Sequence, residues 1–224
     1  MYERSDRPDI SSVRIPGFKV HAVIGRGGQG SVYLCQREQG SLAMFAVKVC
    51  DKPDEREYQN LKTLEQLRHP NIVKVFECLL QPFAIVMEFV EGESLKDLIE
   101  TSEEGEGRRL TRDVVYEIGS QLLLGLCALH KLSILHRDLK PSNIICTFSG
   151  NDIQRVTLID FGASKHENLD HTMTYTGNYI GTLHYFSPEQ CRGDSQLDAR
   201  VDVWSAGVVI YEMTAGKKPF FSHN

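Results

Sequence analysis

The segment His136-Arg137-Asp138-Leu139-Lys140-Pro141-Ser142-Asn143 places a carboxylate, an ammonium and an amide within six positions of one loop. That set supplies a proton acceptor, a cation for phosphate charge and an oxygen ligand for a metal ion. A second carboxylate, Asp160, follows the apolar run Val156-Thr157-Leu158-Ile159 and opens Asp160-Phe161-Gly162, where a hard cation could bridge phosphates. Alone, that triplet reads as a turn. Further upstream, Ile24-Gly25-Arg26-Gly27-Gly28-Gln29-Gly30-Ser31-Val32 contains G-x-G-x-x-G, whose missing side chains let backbone N–H groups approach phosphate oxygens. A glycine-rich hairpin turn explains that segment equally well in isolation. Lys48 ends Ala46-Val47-Lys48 in an apolar strand, where burial of its ammonium demands an anion such as phosphate. The plainer alternative is a lysine on the strand's exposed face.

The elements that would position these groups follow from pattern. Residues 18–49 carry three runs rich in β-branched and aromatic residues, separated by glycine-bearing turns, which predicts a three-strand meander. The strand Ser31–Gln36 follows the glycine loop where a dinucleotide-binding fold would start a helix, so that fold is disfavoured. Leu61, Leu64 and Leu67 have helical spacing over 55–67, ended by His69-Pro70. Two more strands, 72–80 and 83–90, complete a five-stranded antiparallel sheet with one helix. After Gly92 the periodicity turns helical, from Ser94 and again over 111–132 with Thr111 at the N-cap; the charge run 100–109 between them reads as a solvated loop.

Composition sets the outer limits. The 224 residues, 41% hydrophobic and 25% charged, suit a folded globular chain rather than a disordered or fibrous one. The net charge of −5 offers no broad attraction to nucleic acid or an anionic membrane. Six scattered cysteines without a C-x-x-C pair fit reduced thiols, hence a cytoplasmic or nuclear setting. Charges at the N-terminus oppose a signal peptide, and polar residues within 114–135 oppose a membrane span.

In chain order, the glycine loop, A-V-K, H-P-N-I-V, H-R-D-L-K-P-S-N, D-F-G, S-P-E and D-V-W-S-A-G-V resemble the eukaryotic-type protein kinases, over residues from about 18 onward. The resemblance implies a two-lobed α+β fold: an N-terminal extension over 1–17, an N-lobe over 18–90 and a mainly helical partial C-lobe over 91–224, cut short after the helix that carries Asp202. It implies ATP and Mg2+ as cofactors and protein substrates bearing Ser or Thr hydroxyls, with no nucleic-acid or membrane partner. By the same resemblance Ile24, Gly25, Arg26, Gly27, Gly28, Gln29, Gly30, Ser31 and Val32 would cover the phosphates, and Lys48 would hold the α- and β-phosphates. Val32 and Ala46 would sandwich the adenine above Ile145, beside Met87 as gatekeeper and the hinge Glu88-Phe89-Val90. Asp138 would take the proton of the substrate hydroxyl, Lys140 would steady the transferring phosphoryl, and Asn143 and Asp160 would hold magnesium. Lys140 and Gly181-Thr182 resemble the serine/threonine branch; Ser142 stands where basophilic members often have glutamate. Arg137 beside the catalytic aspartate implies a switch by phosphorylation of Thr174 or Thr176.

Two departures stand out. The helix glutamate that should pair with Lys48 lies about nine residues before the histidine of H-P-N, which here is Asn60; Glu57, one turn earlier, is expected to fill the role through an extra turn of helix. The early end predicts an exposed apolar helix face and an unpaired Glu189, as in a fragment. A non-catalytic scaffold of the same fold is the competing reading.

Overall fold

The computed structural model describes residue 10 and residues 13–27, 30–40, 42–50, 55–104, 110–160 and 183–220, without the side chains of 55–57 and 103–104. The chain forms two compact units, one of Met1–Leu67 with Lys74–Phe89, the other of Arg68–Val73 with Val90–Asn224.

In the first unit, β1 (Phe18–Gly27), β2 (Gly30–Arg37), β3 (Met44–Val49), β4 (Val75–Leu80) and β5 (Phe83–Glu88) form one antiparallel sheet in the order β1-β2-β3-β5-β4, and α1 (Glu55–Gln66) contacts β4. The expected five strands and one helix are all present. One face is sealed by Cys35, Phe45, Val47, Ala84 and Val86, onto which Val13, Ile15 and Phe18 fold. Burying each such aliphatic or aromatic side chain is worth roughly 1.5–3 kcal/mol. The period of two then delivers Val32, Ala46, Lys48 and Met87 to the opposite face.

The second unit holds a small sheet, β6 (Glu93–Ser94), β7 (Ile144–Ser149) and β8 (Asp152–Leu158), with helices α2 (Leu95–Glu104), α3 (Arg112–Lys131), α4 (Pro188–Arg192) and α5 (Arg200–Ala215). Helix α3 begins at the expected cap: Thr111 Oγ1 accepts from the Val114 N–H at 3.4 Å, with Asp113 in the first turn and His130 and Lys131 in the last. Its buried stripe, Ile118, Leu122, Gly125, Leu126 and Leu129, keeps helical spacing. Among the described residues no helix is long and apolar enough to cross a membrane.

Two expectations need correction. Ser94 does not open a helix; it lies in β6, and its Oγ accepts from the Asp97 N–H at 3.1 Å to start α2 one residue later. The charge run is not wholly loop either, because α2 continues through Glu104 and no glycine interrupts it before Gly105.

Candidate active site

The register of the first unit explains why its candidate residues share a face. Gly25 pairs with Val32, Val32 with Lys48 and Lys48 with Ile85, while Ala46 pairs with Met87 in the adjoining row. Cross-strand partners point to the same side, so Gly25, Val32, Ala46, Lys48 and Met87 form one patch. Lys48 is only 5% exposed, which overturns the surface-lysine alternative, since a buried ammonium must be met by an acceptor or an anion. Ile24, Arg26 and Ser31 flank this patch on β1 and β2, and Glu88 closes β5, its N–H donating to the Lys74 carbonyl at 2.9 Å. Gly30 has a fold-level reason to be glycine: its φ is +130° and an added Cβ would fall 2.1 Å from the Val49 carbonyl oxygen. At Gly27 an added Cβ would meet nothing within 4 Å. Gly28 and Gln29 lie outside the described residues.

Glu57 falls within α1, four residues before buried Leu61 and seven before buried Leu64, and its side chain lies outside the described part. Asn60 falls in the same helix.

In the second unit the loop residues converge. Lys140 Nζ donates to Asp138 Oδ2 at 2.8 Å, and Asn143 Nδ2 donates to the Asp138 backbone carbonyl at 2.8 Å and to Oδ2 at 3.3 Å. A 3-10 turn over Pro141–Asn143 brings Asn143 back to Asp138 and leaves it buried. The Ile159 N–H donates to the Asn143 carbonyl at 2.9 Å, which seats Asp160 beside that loop. Ile145 lies on β7 opposite Thr157, and Val90 begins this unit's long segment. Asn143 spends its amide nitrogen on Asp138, so its amide oxygen is left for another partner. With the Asp160 carboxylate this makes a hard, two-oxygen donor set that suits magnesium completed by phosphate and water oxygens. Among the described residues no cluster of three His, Cys, Asp or Glu forms a metal site built from protein alone.

Two backbone positions here are strained. Arg137 has φ 63° and Asp160 φ 58°, in a left-handed region that costs a non-glycine residue about 1–3 kcal/mol. The residue that holds Arg137 there was named in the sequence only as the start of a helix motif, with no role. Asp202, 1% exposed on α5, accepts from the His136 N–H at 2.9 Å, the Arg137 N–H at 2.8 Å and His130 Nε2 at 2.8 Å. Burial alone would raise its pKa, but the hydrogen bond from His130, the neighbouring His136 and the two N–H groups hold it below the ordinary carboxylate value. From the far side, Gln190 Nε2 donates to the Arg137 carbonyl at 2.9 Å. Asp202 was legible as the first residue of D-V-W-S-A-G-V at a helix start, and nothing in the spacing shows the loop it grips. Thr174, Thr176, Phe161, Gly162, Gly181 and Thr182 lie outside the described residues.

The family model described as the protein kinase domain matches residues 18–224. This chain belongs to the protein kinase family. Among curated relatives, a protein named as a probable serine/threonine-protein kinase of Clostridium perfringens is 37% identical over 211 residues, 91% of this chain and 29% of that protein. The serine/threonine-protein kinase PknA of Corynebacterium glutamicum is 35% identical over 217 residues, 91% of this chain and 44% of that protein. The chain thus spans less than half the length of either relative. Among solved structures, Rad53 1-466 in complex with AMP-PNP aligns with a TM-score of 0.71 at 28% identity, covering 93% of this chain and 51% of that one. The kinase fold, two-lobed with a five-stranded antiparallel sheet, is therefore what this sequence adopts.

Proposed function

We propose that this protein kinase transfers the γ-phosphoryl group of ATP to Ser and Thr hydroxyls of protein substrates. The observation that carries the reading is the Lys140–Asp138–Asn143 cluster, in which two donors fix one carboxylate oxygen and leave the other to meet a hydroxyl. The substrate oxygen forms a bond to the γ-phosphorus, the bond from that phosphorus to the β–γ bridging oxygen breaks, and ADP carries away the electron pair. Asp138 accepts the hydroxyl proton, and the Lys140 ammonium offsets charge on the phosphoryl oxygens. Gly25, Gly27, Gly30 and Lys48 hold the phosphates, Val32, Ala46, Met87, Glu88, Val90 and Ile145 hold the adenine, and Glu57 pairs with Lys48. Magnesium, when bound, neutralises phosphate charge, and Asn143 and Asp160 would hold it.

Arg137 would receive a phosphate on Thr174 or Thr176, its backbone already fixed by Asp202 and Gln190. Reduced thiols favour a cytoplasmic or nuclear setting. Presence of Lys48, Asp138 and Asp160 together weighs against a non-catalytic scaffold. The reading is tested with a peptide array, radiolabelled ATP and Mg2+, followed by phosphoamino-acid analysis. Label on Ser and Thr, lost in Asp138→Asn, is the expected result; nucleotide binding without label would make this chain a scaffold.

A further inference from the structure

Gln121 on α3 has no part in the machinery assigned above, yet its amide joins three segments of the second unit. Its Oε1 accepts from Asn71 Nδ2 at 2.8 Å and from the Val156 N–H at 2.9 Å, and its Nε2 donates to Glu117 Oε1 at 2.7 Å. Asn71 Nδ2 also donates to the Val156 carbonyl at 2.8 Å. Both polar groups of Val156 are therefore met by side-chain amides.

The reason lies in how β8 is edged. One side of β8 pairs with β7. Along the other runs the segment after α1: the Leu158 N–H donates to the Asn71 carbonyl and the Val73 N–H to the Leu158 carbonyl, both at 2.9 Å, with Ile72 bridged in parallel to Leu158. That backbone pairing begins at Asn71, so at Val156 the side chains of Asn71 and Gln121 stand in for the missing strand. Helix α3 comes near enough because residue 125 is glycine: a Cβ there would lie 3.0 Å from the Asn71 carbonyl oxygen and 2.9 Å from Leu158 Cδ1.

Four residues beyond Val156 is Asp160, and between them the Ile159 N–H is bonded to the Asn143 carbonyl. The clamp on Val156 is thus one of the holds on β8, beside its pairing with β7, and lies on the strand that leads to Asp160 beside Asn143. We propose that Gln121 is a positioning residue that acts through β8 on the Asn143–Asp160 pair, and so sets how tightly a divalent cation is taken up with nucleotide. The inference rests on the assignment of that pair to magnesium.

The test is a Mg2+ titration of the binding of a fluorescent ATP analogue to the full chain, alongside the Mg2+ dependence of phosphoryl transfer. Gln121→Leu removes the acceptor and leaves the Val156 N–H buried and unpaired. It is expected to keep metal-free nucleotide affinity within about twofold while raising the Mg2+ midpoint about 5- to 10-fold, a shift that a general loss of stability would not single out. The double variant Glu117→Gln with Gln121→Glu restores an acceptor and reverses the outer pair, and should return the midpoint to within about twofold of wild type. Should Gln121→Leu not fold, Gln121→Ala, which admits a water, carries the same readout. An Mg2+ midpoint in Gln121→Leu, or in Gln121→Ala in its place, equal to that of the wild type would overturn the proposal. A wild type whose nucleotide binding ignores Mg2+ would instead overturn the metal assignment beneath it.

Discussion

Replacing Asp202 by Asn probes how the catalytic loop is held. In the native protein one carboxylate accepts three hydrogen bonds, Oδ1 from Arg137 and Oδ2 from His136 and His130. Asn keeps a single carbonyl oxygen, so its NH2 must face either the Arg137 N–H or the other two donors. At the least one charge-assisted bond is lost, about 1.5–3 kcal/mol, and one buried N–H is stranded, about 1–3 kcal/mol, so unfolding should become easier by about 2.5–6 kcal/mol. Arg137 would lose the contact that opposes its φ of 63°, and relaxation there displaces Asp138, the next residue. A loss of about 1.4–2.8 kcal/mol in the transition state corresponds to a kcat lower by about 10- to 100-fold, with the KM for ATP within about twofold. The pH dependence supplies a second sign. The folded-state pKa of Asp202 lies below the ordinary 3.8, so its contribution is complete above that value and disappears as pH falls through the folded-state pKa. The gap in urea midpoint between wild type and Asp202→Asn should therefore be full at pH 6 and shrink below pH ~4. Steady-state kinetics with urea titration at several pH values tests this. An unchanged kcat and midpoint, or a gap that persists undiminished in acid, would refute the reasoning.

Gly30→Ala, whose Cβ would sit 2.1 Å from the Val49 carbonyl oxygen, should lower stability by about 2 kcal/mol or more, whereas Gly27→Ala should leave the Tm within about 1 °C and weaken nucleotide binding; thermal denaturation with and without ATP separates the two. Tyr185→Phe strands the buried Glu212, whose Oε2 accepts from Tyr185 Oη at 2.7 Å, and should cost about 1–3 kcal/mol in urea denaturation. Leu122→Ala, at a fully buried position of α3, should cost about 2–5 kcal/mol by the same measurement. Phosphopeptide mapping of active protein should find Thr174 or Thr176 modified, and finding neither would remove Arg137 from a switching role.

Much of this fold was legible because its local rules agree with one another. Runs of β-branched and aromatic residues between turns announce the five strands, the Leu61–Leu64 spacing announces α1, and Thr111 marks the start of α3 to the residue. Side chains that act across long sequence separations were not legible. Asp202 bonds to backbone 65 and 66 residues away, and Gln121 to a side chain 50 residues away, so neither spacing nor periodicity could link them. Each looks locally like a polar residue on a helix, the commonest kind there is. Ser94 was misplaced because a two-residue strand carries no periodicity. Burial of Lys48 depends on how a whole sheet is arrayed, which its own strand cannot reveal.

The most direct test of the account is intact mass after incubation with Mg2+ and ATP, wild type beside Asp138→Asn. Stepwise gains of one phosphate in the wild type, absent from the variant, are the predicted result. Equal gains in both would contradict the role of Asp138, and gain in neither would contradict phosphoryl transfer by this chain.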